Sequence, residues 1–243
     1  MGFKESIWEK IVEEDRGLVL ITGETNSGKS TTLVSLLQHI LDTQHKKVMT
    51  VEDPIEYALR DAVGQAVQRE VGVTTTSFYE AVKRFLRQNP DIIMVGETRD
   101  EETAKQAVRA AETGHLVFTT LHTNDASGSV GRTLDFLGNT EESRHRLSDC
   151  LKYVVSQKLI PREKRTGDRT LAVEIMVVNG AIRNNIRTGK SENMRNVIQS
   201  GRSEGMMTME QHLVYLVTKG LDRDVAIQSA NNRREMESLL RQR

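Results

Sequence analysis

The chain is short of three things that would have pointed elsewhere. Cys150 is the single cysteine among 243 residues, so neither an internal disulfide nor a cysteine-built zinc site is possible. A lone cysteine of this kind reads as a small buried hydrophobe rather than a reactive thiol. Aromatic residues make up only 4%, and 34 Lys plus Arg balance 34 Asp plus Glu. A nucleic-acid track needs a basic surplus and stacking rings, so both scarcities argue against a polynucleotide partner. No apolar run approaches the roughly 20 residues of a membrane span, and no basic-then-apolar signal segment opens the chain. The expected location is the cytoplasm, with any membrane role reached through a partner. What remains, 28% charged and 37% hydrophobic, describes a globular protein long enough for one large α/β core, or such a core with a small helical appendage.

The first half alternates strand-like and helix-like segments. Residues 18–22 form a short apolar run, and 30–41 repeat Leu33, Leu36, Leu37, Ile40 and Leu41 at helical spacing. Residues 47–51 and, more weakly, 66–71 read as strands. Ser77 and Glu80 form a capping box ahead of a helix that the Asn89-Pro90 pair stops. Residues 92–95 and 116–121 are continuous apolar runs. Between them Asp100 caps a helix that ends at Gly114, and a further helix reaches about Leu137. Strands alternating with helices imply a mostly parallel sheet covered on both faces. After a polar loop over 162–169 comes one more strand, 170–178. The remainder is helical, broken at Gly189, Gly201, Gly205 and Gly220. The expected organisation is an α/β domain over 1–178 and a C-terminal helical subdomain over 179–243.

One motif carries chemistry directly. Gly23-Glu24-Thr25-Asn26-Ser27-Gly28-Lys29-Ser30 fits G-x-x-x-x-G-K-[ST] and sits between a strand and a helix. Its glycines let backbone N–H groups face phosphates, Lys29 reaches the β and γ oxygens, and the Ser30 hydroxyl ligates Mg²⁺. The nucleotide-binding set is Gly23, Thr25, Asn26, Ser27, Gly28, Lys29, Ser30 and Thr31. Asn26 stands where many such loops carry Gly, and Asn tolerates left-handed backbone angles better than most residues.

Ligands of a parallel α/β sheet gather beyond the carboxyl ends of its strands. That edge receives Glu52, Asp53 and Glu56 after one strand, Glu97 after another and His122 after a third. Each acid alone is an ordinary solvated loop residue. Beside a phosphate loop, Glu56 and Glu97 become candidates to activate a water for in-line attack or to hold Mg²⁺, with Ser30 and Glu97 as its ligands. Glu52 and Asp53 read equally well either way. His122 is placed to sense the γ-phosphate. His115 lies at the far end of the same strand, roughly 20 Å away, where packing or a subunit contact is the better reading.

These boxes resemble the secretion ATPase superfamily, which powers type IV pili and type II and type IV secretion. Walker A is 23–30, the Asp box Val51-Glu52-Asp53-Pro54-Ile55-Glu56-Tyr57, Walker B Val95-Gly96-Glu97, and the His box spans Gly114-His115 to Leu121-His122-Thr123. The resemblance implies a RecA-like ATPase core that hydrolyses ATP with Mg²⁺. Glu56 matches the family's catalytic carboxylate and Glu97 its Walker B glutamate. It also implies a homo-hexamer acting on an inner-membrane pilus or secretion platform protein, and arginines donated between subunits, for which Arg69 and Arg132 are candidates. Ala181-Ile182-Arg183-Asn184-Asn185-Ile186-Arg187 is similar to the output motif of the pilus retraction branch. Asn185 replaces the usual Leu there, and Arg183 and Arg187 alternatively form a solvated basic face. A type II or type IV secretion or pilus assembly motor is the alternative within the superfamily. The N-terminal domain usual in the family is expected to be absent from this chain, since Walker A begins at Gly23.

Overall fold

The computed structural model describes residues 6–163 and 167–241. Residues 164–166 of the expected polar loop, and the extreme ends of both expected domains, lie outside the described residues. In chain order the elements are α1 (Ser6–Val12), β1 (Gly17–Thr22), α2 (Lys29–Thr43), β2 (Lys47–Glu52), β3 (Gln65–Glu70), α3 (Phe78–Phe85), β4 (Ile92–Val95), α4 (Glu101–Glu112) and β5 (Leu116–Leu121). There follow α5 (Ala126–Phe136), α6 (Glu141–Cys150), β6 (Leu151–Pro161), β7 (Arg169–Val177), α7 (Gly180–Thr188), α8 (Met194–Ser200), α9 (Met209–Thr218), α10 (Arg223–Ser229) and α11 (Arg233–Arg241).

The strands form one seven-stranded sheet in the order β3-β2-β4-β5-β1-β6-β7. Every pairing is parallel except β6 with β7. Strands β1, β4 and β5 are buried at every position, because helices cover both faces and leave no side of the strand for water. Side chains alternate across the sheet. Leu18, Leu20, Met49 and Val51 pack with α3 to α8 on one face. Val19, Ile21, Val48 and Met94 pack with α1 and α2 on the other. The five apolar residues of α2 that set its expected period are all buried, each worth on the order of 1.5–3 kcal/mol. Cys150 is buried too, and burial pushes its thiol up to about 12, as a packing residue rather than a nucleophile.

Start signals act as expected at Asp100, whose carboxylate accepts from Thr103 N–H, and at Ser77, whose hydroxyl accepts from Glu80 N–H. The second half of the Ser77 capping box is different, since the Glu80 carboxylate turns instead toward Lys83 and Arg84. A reciprocal box does form at Thr208 and Gln211, at the start of α9. Gly189, Gly205 and Gly220 break the C-terminal helices in left-handed conformations, with φ of 69°, 93° and 94°.

Three elements go unread in the sequence: α1, α6 and the eleven-residue β6. The helical stretch after 179 also divides in its packing. Ile182, Ile186, Met194 and Ile198 of α7 and α8 belong to the main core. Only α9 to α11 gather around a separate core, built on Met209, Leu213, Val225 and Met236 and joined to the sheet through Ile160 and Ala172.

Candidate nucleotide site

Four neighbouring strands, β2, β4, β5 and β1, end on one edge, and the loops that follow them line a cleft of about 720 Å³. The loop after β1 turns into α2 through Asn26 at φ 62° and Gly28 at φ 89°, the left-handed region that Gly and Asn accept. The helix is thereby aimed so that the N–H groups of its first turn, which have no partner within the helix, face the cleft. Gly23 has no room for a side chain. A Cβ there would lie 2.3 Å from the Gln157 carbonyl and 2.6 Å from Ser27 Oγ.

Residues Thr25 to Thr31 line this cleft together with Glu52, Asp53, Glu56, Glu97 and His122. Gly23 is not among the lining residues. Lys29 folds over the loop, its Nζ donating to the Gly23 and Glu24 carbonyls at 2.8 and 2.9 Å. Burial lowers the Lys29 pKa, opposed by the carboxylates of Glu97 and Glu56. A dianionic or trianionic phosphate would return what burial withdraws. Ser27 Oγ is buried with no hydrogen-bond partner, a polar atom left to face whatever the loop encloses.

Glu97 is held from two sides. His122 Nε2 stands 3.1 Å from Oε1 and Arg99 donates to Oε2 at 2.7 Å. Burial works against its charge, but the Arg99 hydrogen bond and the fields of His122 and Arg99 together outweigh it, and the pKa falls below the usual carboxylate range. Glu97 is therefore an ionised acceptor at neutral pH. Glu56 lines the same cleft and is exposed. Glu52 is tied up in structure, its Oε1 accepting from Thr50 Oγ1 at 2.7 Å and Gln68 Nε2 at 3.0 Å.

Behind the cleft, hydroxyls lock the strand ends together. Thr120 donates to the Gly96 carbonyl at 2.6 Å, beside Glu97. Thr22 Oγ1 lies 2.8 Å from Ser156 Oγ and accepts from Ser129 at 3.2 Å, and Ser129 lies 2.6 Å from Thr123 Oγ1. His115 is remote, its Nδ1 resting 3.1 Å from the Ala110 carbonyl that closes α4. Arg69 sits on the edge strand β3, and the Arg132 guanidinium stacks 4.2 Å over the Phe136 ring. Neither lines the cleft of its own chain.

Arg99 and Arg169 also line the cleft and were missed in the sequence. Arg99 carries a local signal, two residues past Glu97. Arg169 reaches the site only because β7 pairs with β6, which no local pattern announces. The residues suit a magnesium–polyphosphate group. Among the described residues no three acidic, His or Cys side chains cluster to cage a metal.

Along α7, Ile182 and Ile186 are buried and Ala181 and Asn184 exposed. The Arg187 guanidinium donates to Ser148 Oγ at 2.9 Å and Asp149 Oδ1 at 2.5 Å on α6. Arg183 Nε is buried without a partner. This segment is docked on α6 through Arg187, whose side chain also stays exposed.

Comparison with known proteins agrees with this geometry. Residues 3–242 match the family described as type II/IV secretion system protein. The chain is 44% identical over 218 residues to a twitching motility protein of Neisseria gonorrhoeae, covering 89% of this chain and 58% of that protein. It is 46% identical over 217 residues to the type IV pilus retraction ATPase PilT of Pseudomonas aeruginosa, covering 88% and 62%. A crystal structure of the pilus retraction motor PilT with bound ADP superposes with a TM-score of 0.89 at 41% identity, covering 98% of this chain and 68% of that one. The chain thus spans about three fifths of the length of the two curated relatives.

Proposed function

The chain belongs to the type II/IV secretion system protein family, and from that premise we propose that it is the ATP-hydrolysing core of a motor of the pilus retraction kind. The observation that carries the reading is the meeting, on one sheet edge, of the Lys29 loop with a Glu97 carboxylate held ionised by Arg99 and His122. In this proposal Lys29 leaves the Gly23 and Glu24 carbonyls for the β and γ oxygens, and the first-turn N–H groups of α2 complete the cradle. Ser30 and Glu97, which both line the cleft, would hold Mg²⁺. Mg²⁺, when bound, neutralises charge developing on the phosphoryl oxygens. Glu56 and Glu97 orient the attacking water and accept its proton, and His122 reads the γ-phosphate from the Glu97 side.

The assembly we propose is a homo-hexamer in which Arg69 and Arg132 act toward neighbouring subunits, with an inner-membrane platform protein as the load. Among the described residues no helix is long and apolar enough to cross a membrane, so that membrane role runs through a partner. The helix carrying Ala181 to Arg187 is the proposed output element, docked on α6. The proposed domains are an ATPase domain over 1–178 and a helical subdomain over 179–243, whose separately packed part begins at α9.

Titration with a fluorescent ATP analogue and Mg²⁺, alongside phosphate release and sizing, tests the reading. Saturable binding that Lys29→Ala abolishes is expected, with slow turnover that rises on hexamer formation. Binding unaffected by Lys29→Ala, or turnover stimulated several-fold by single-stranded DNA, would overturn it.

A further inference from the structure

Among the described residues, none beyond Arg169 lines the cleft, yet three polar contacts run from the loops around it to the C-terminal helices. The central one is Glu174 on β7, 2% exposed within the otherwise apolar stretch 171–177. Its Oε1 accepts the Ala126 N–H at 2.8 Å, and its Oε2 accepts the Met209 N–H at 3.3 Å. Ala126 opens α5 and ends the short loop that begins at His122. Met209 opens α9, the first helix of the separate C-terminal core. One buried carboxylate therefore satisfies the first N–H groups of two helices on opposite sides of the seam.

The other contacts flank it. Asn231, between α10 and α11, donates through Nδ2 to the Asn124 carbonyl at 3.3 Å, inside the same loop. Lys158 donates to the Ser229 carbonyl at 2.9 Å and to Asn231 Oδ1 at 2.6 Å. Lys158 follows Gln157, whose Nε2 donates to Thr32 on α2 at 2.8 Å and whose carbonyl closes on Gly23. Both the phosphate loop and the His122 loop are thus tied to the same helical unit.

We propose that Glu174 is a positioning residue for ATP turnover: by bridging Ala126 and Met209 it holds the His122 loop in register with Glu97 and makes that register depend on the docking of α9. The inference rests on the ATPase reading above. The bridge needs two acceptor oxygens. In Glu174→Gln only one remains, and the amide NH₂ opposes the second N–H. The N–H nearer the amide nitrogen loses its acceptor, and the seam loosens.

The test uses the whole chain and two readouts. In steady-state kinetics Glu174→Gln is expected to lower kcat about tenfold, the scale of one lost buried hydrogen bond expressed only at the reacting geometry, with KM and nucleotide affinity within twofold of wild type. In hydrogen exchange, Mg²⁺ with a non-hydrolysable ATP analogue is expected to protect amides 208–211 in wild type and not in Glu174→Gln. A merely structural residue would lower the melting temperature and leave kcat unchanged well below it, and that result overturns the proposal. If Glu174→Gln does not fold, Asn231→Ala decides, since its side chain is exposed. A reduced kcat at unchanged nucleotide affinity supports the proposal, and unchanged kcat and exchange refute it. Absence of turnover in wild type counts against the ATPase reading alone. The exchange arm then still decides whether nucleotide and α9 are coupled.

Discussion

His212 offers a pH-dependent stability whose size follows from where it sits. The imidazole on α9 is 3% exposed. Its Nδ1 accepts the Val173 N–H of β7 at 2.9 Å, and its ring stacks on Tyr215 at a centroid distance of 6.0 Å. An accepting Nδ1 means that the ring proton is on Nε2 and the folded state is neutral. Burial lowers the pKa from 6.5 to about 4. Between those values the unfolded chain binds a proton that the folded chain refuses. Stability is therefore fully present above about pH 6.5 and is lost as pH falls toward about 4, by up to about 3 kcal/mol at 1.36 kcal/mol per pH unit. Glu174 slopes the other way. Burial raises its pKa from 4.5 to about 7, so its ionisation costs stability as pH rises through that window. The His212 contribution must be read by difference. His212→Asn keeps an acceptor for the Val173 N–H and cannot titrate. Its smaller side chain gives a constant offset, and the slope carries the signal. Urea denaturation of both proteins from pH 4 to pH 8 is expected to show wild type losing about 3 kcal/mol relative to the variant on acidification. Parallel profiles would refute the neutral, N–H-accepting histidine and the docking of α9 through it.

Gly23→Ala places a methyl group 2.3 Å from the Gln157 carbonyl at a φ of 143°, so the loop must shift. We expect about 1–3 kcal/mol of destabilisation in thermal melts and at least tenfold weaker binding of a fluorescent nucleotide, and wild-type affinity would contradict the geometry. Glu97→Gln is expected to retain nucleotide while phosphate release falls about 10²- to 10⁴-fold; unchanged turnover would remove Glu97 from the chemistry. Arg99→Ala withdraws the hydrogen bond and field that keep the Glu97 pKa low. The carboxylate then protonates at higher pH, and the acidic limb of the kcat/KM profile should move upward, whereas an unmoved limb would mean that Arg99 does not set the ionisation of Glu97.

What could be read from the sequence was whatever is encoded locally. The phosphate loop is contiguous, and its backbone demands leave a mark in residue type, down to Asn26 at a positive φ. Glu56, Glu97 and His122 were legible because apolar runs end just before them and parallel strands bring such ends together. β6 was illegible because Ser156 and Gln157 interrupt its apolar pattern. Both are buried, Ser156 beside Thr22 and Gln157 donating to Thr32, partners more than a hundred residues away. Glu174 had a signal, an acid flanked by apolar residues within a strand, but its two N–H partners appear only once α5 and α9 converge on it. Arg169 shares that fate, reaching the cleft through the antiparallel pairing of β7 with β6.

The most direct test is a crystal structure of the chain with Mg²⁺ and a non-hydrolysable ATP analogue. The account predicts Lys29 Nζ moved from the Gly23 and Glu24 carbonyls onto the β and γ oxygens, Ser30 on the metal, and the Glu97 carboxylate within about 6 Å of the terminal phosphorus, the reach of one bridging water. A triphosphate bound with Lys29 still on its own loop, and with Glu56 and Glu97 both distant from the metal and the terminal phosphate, would contradict it.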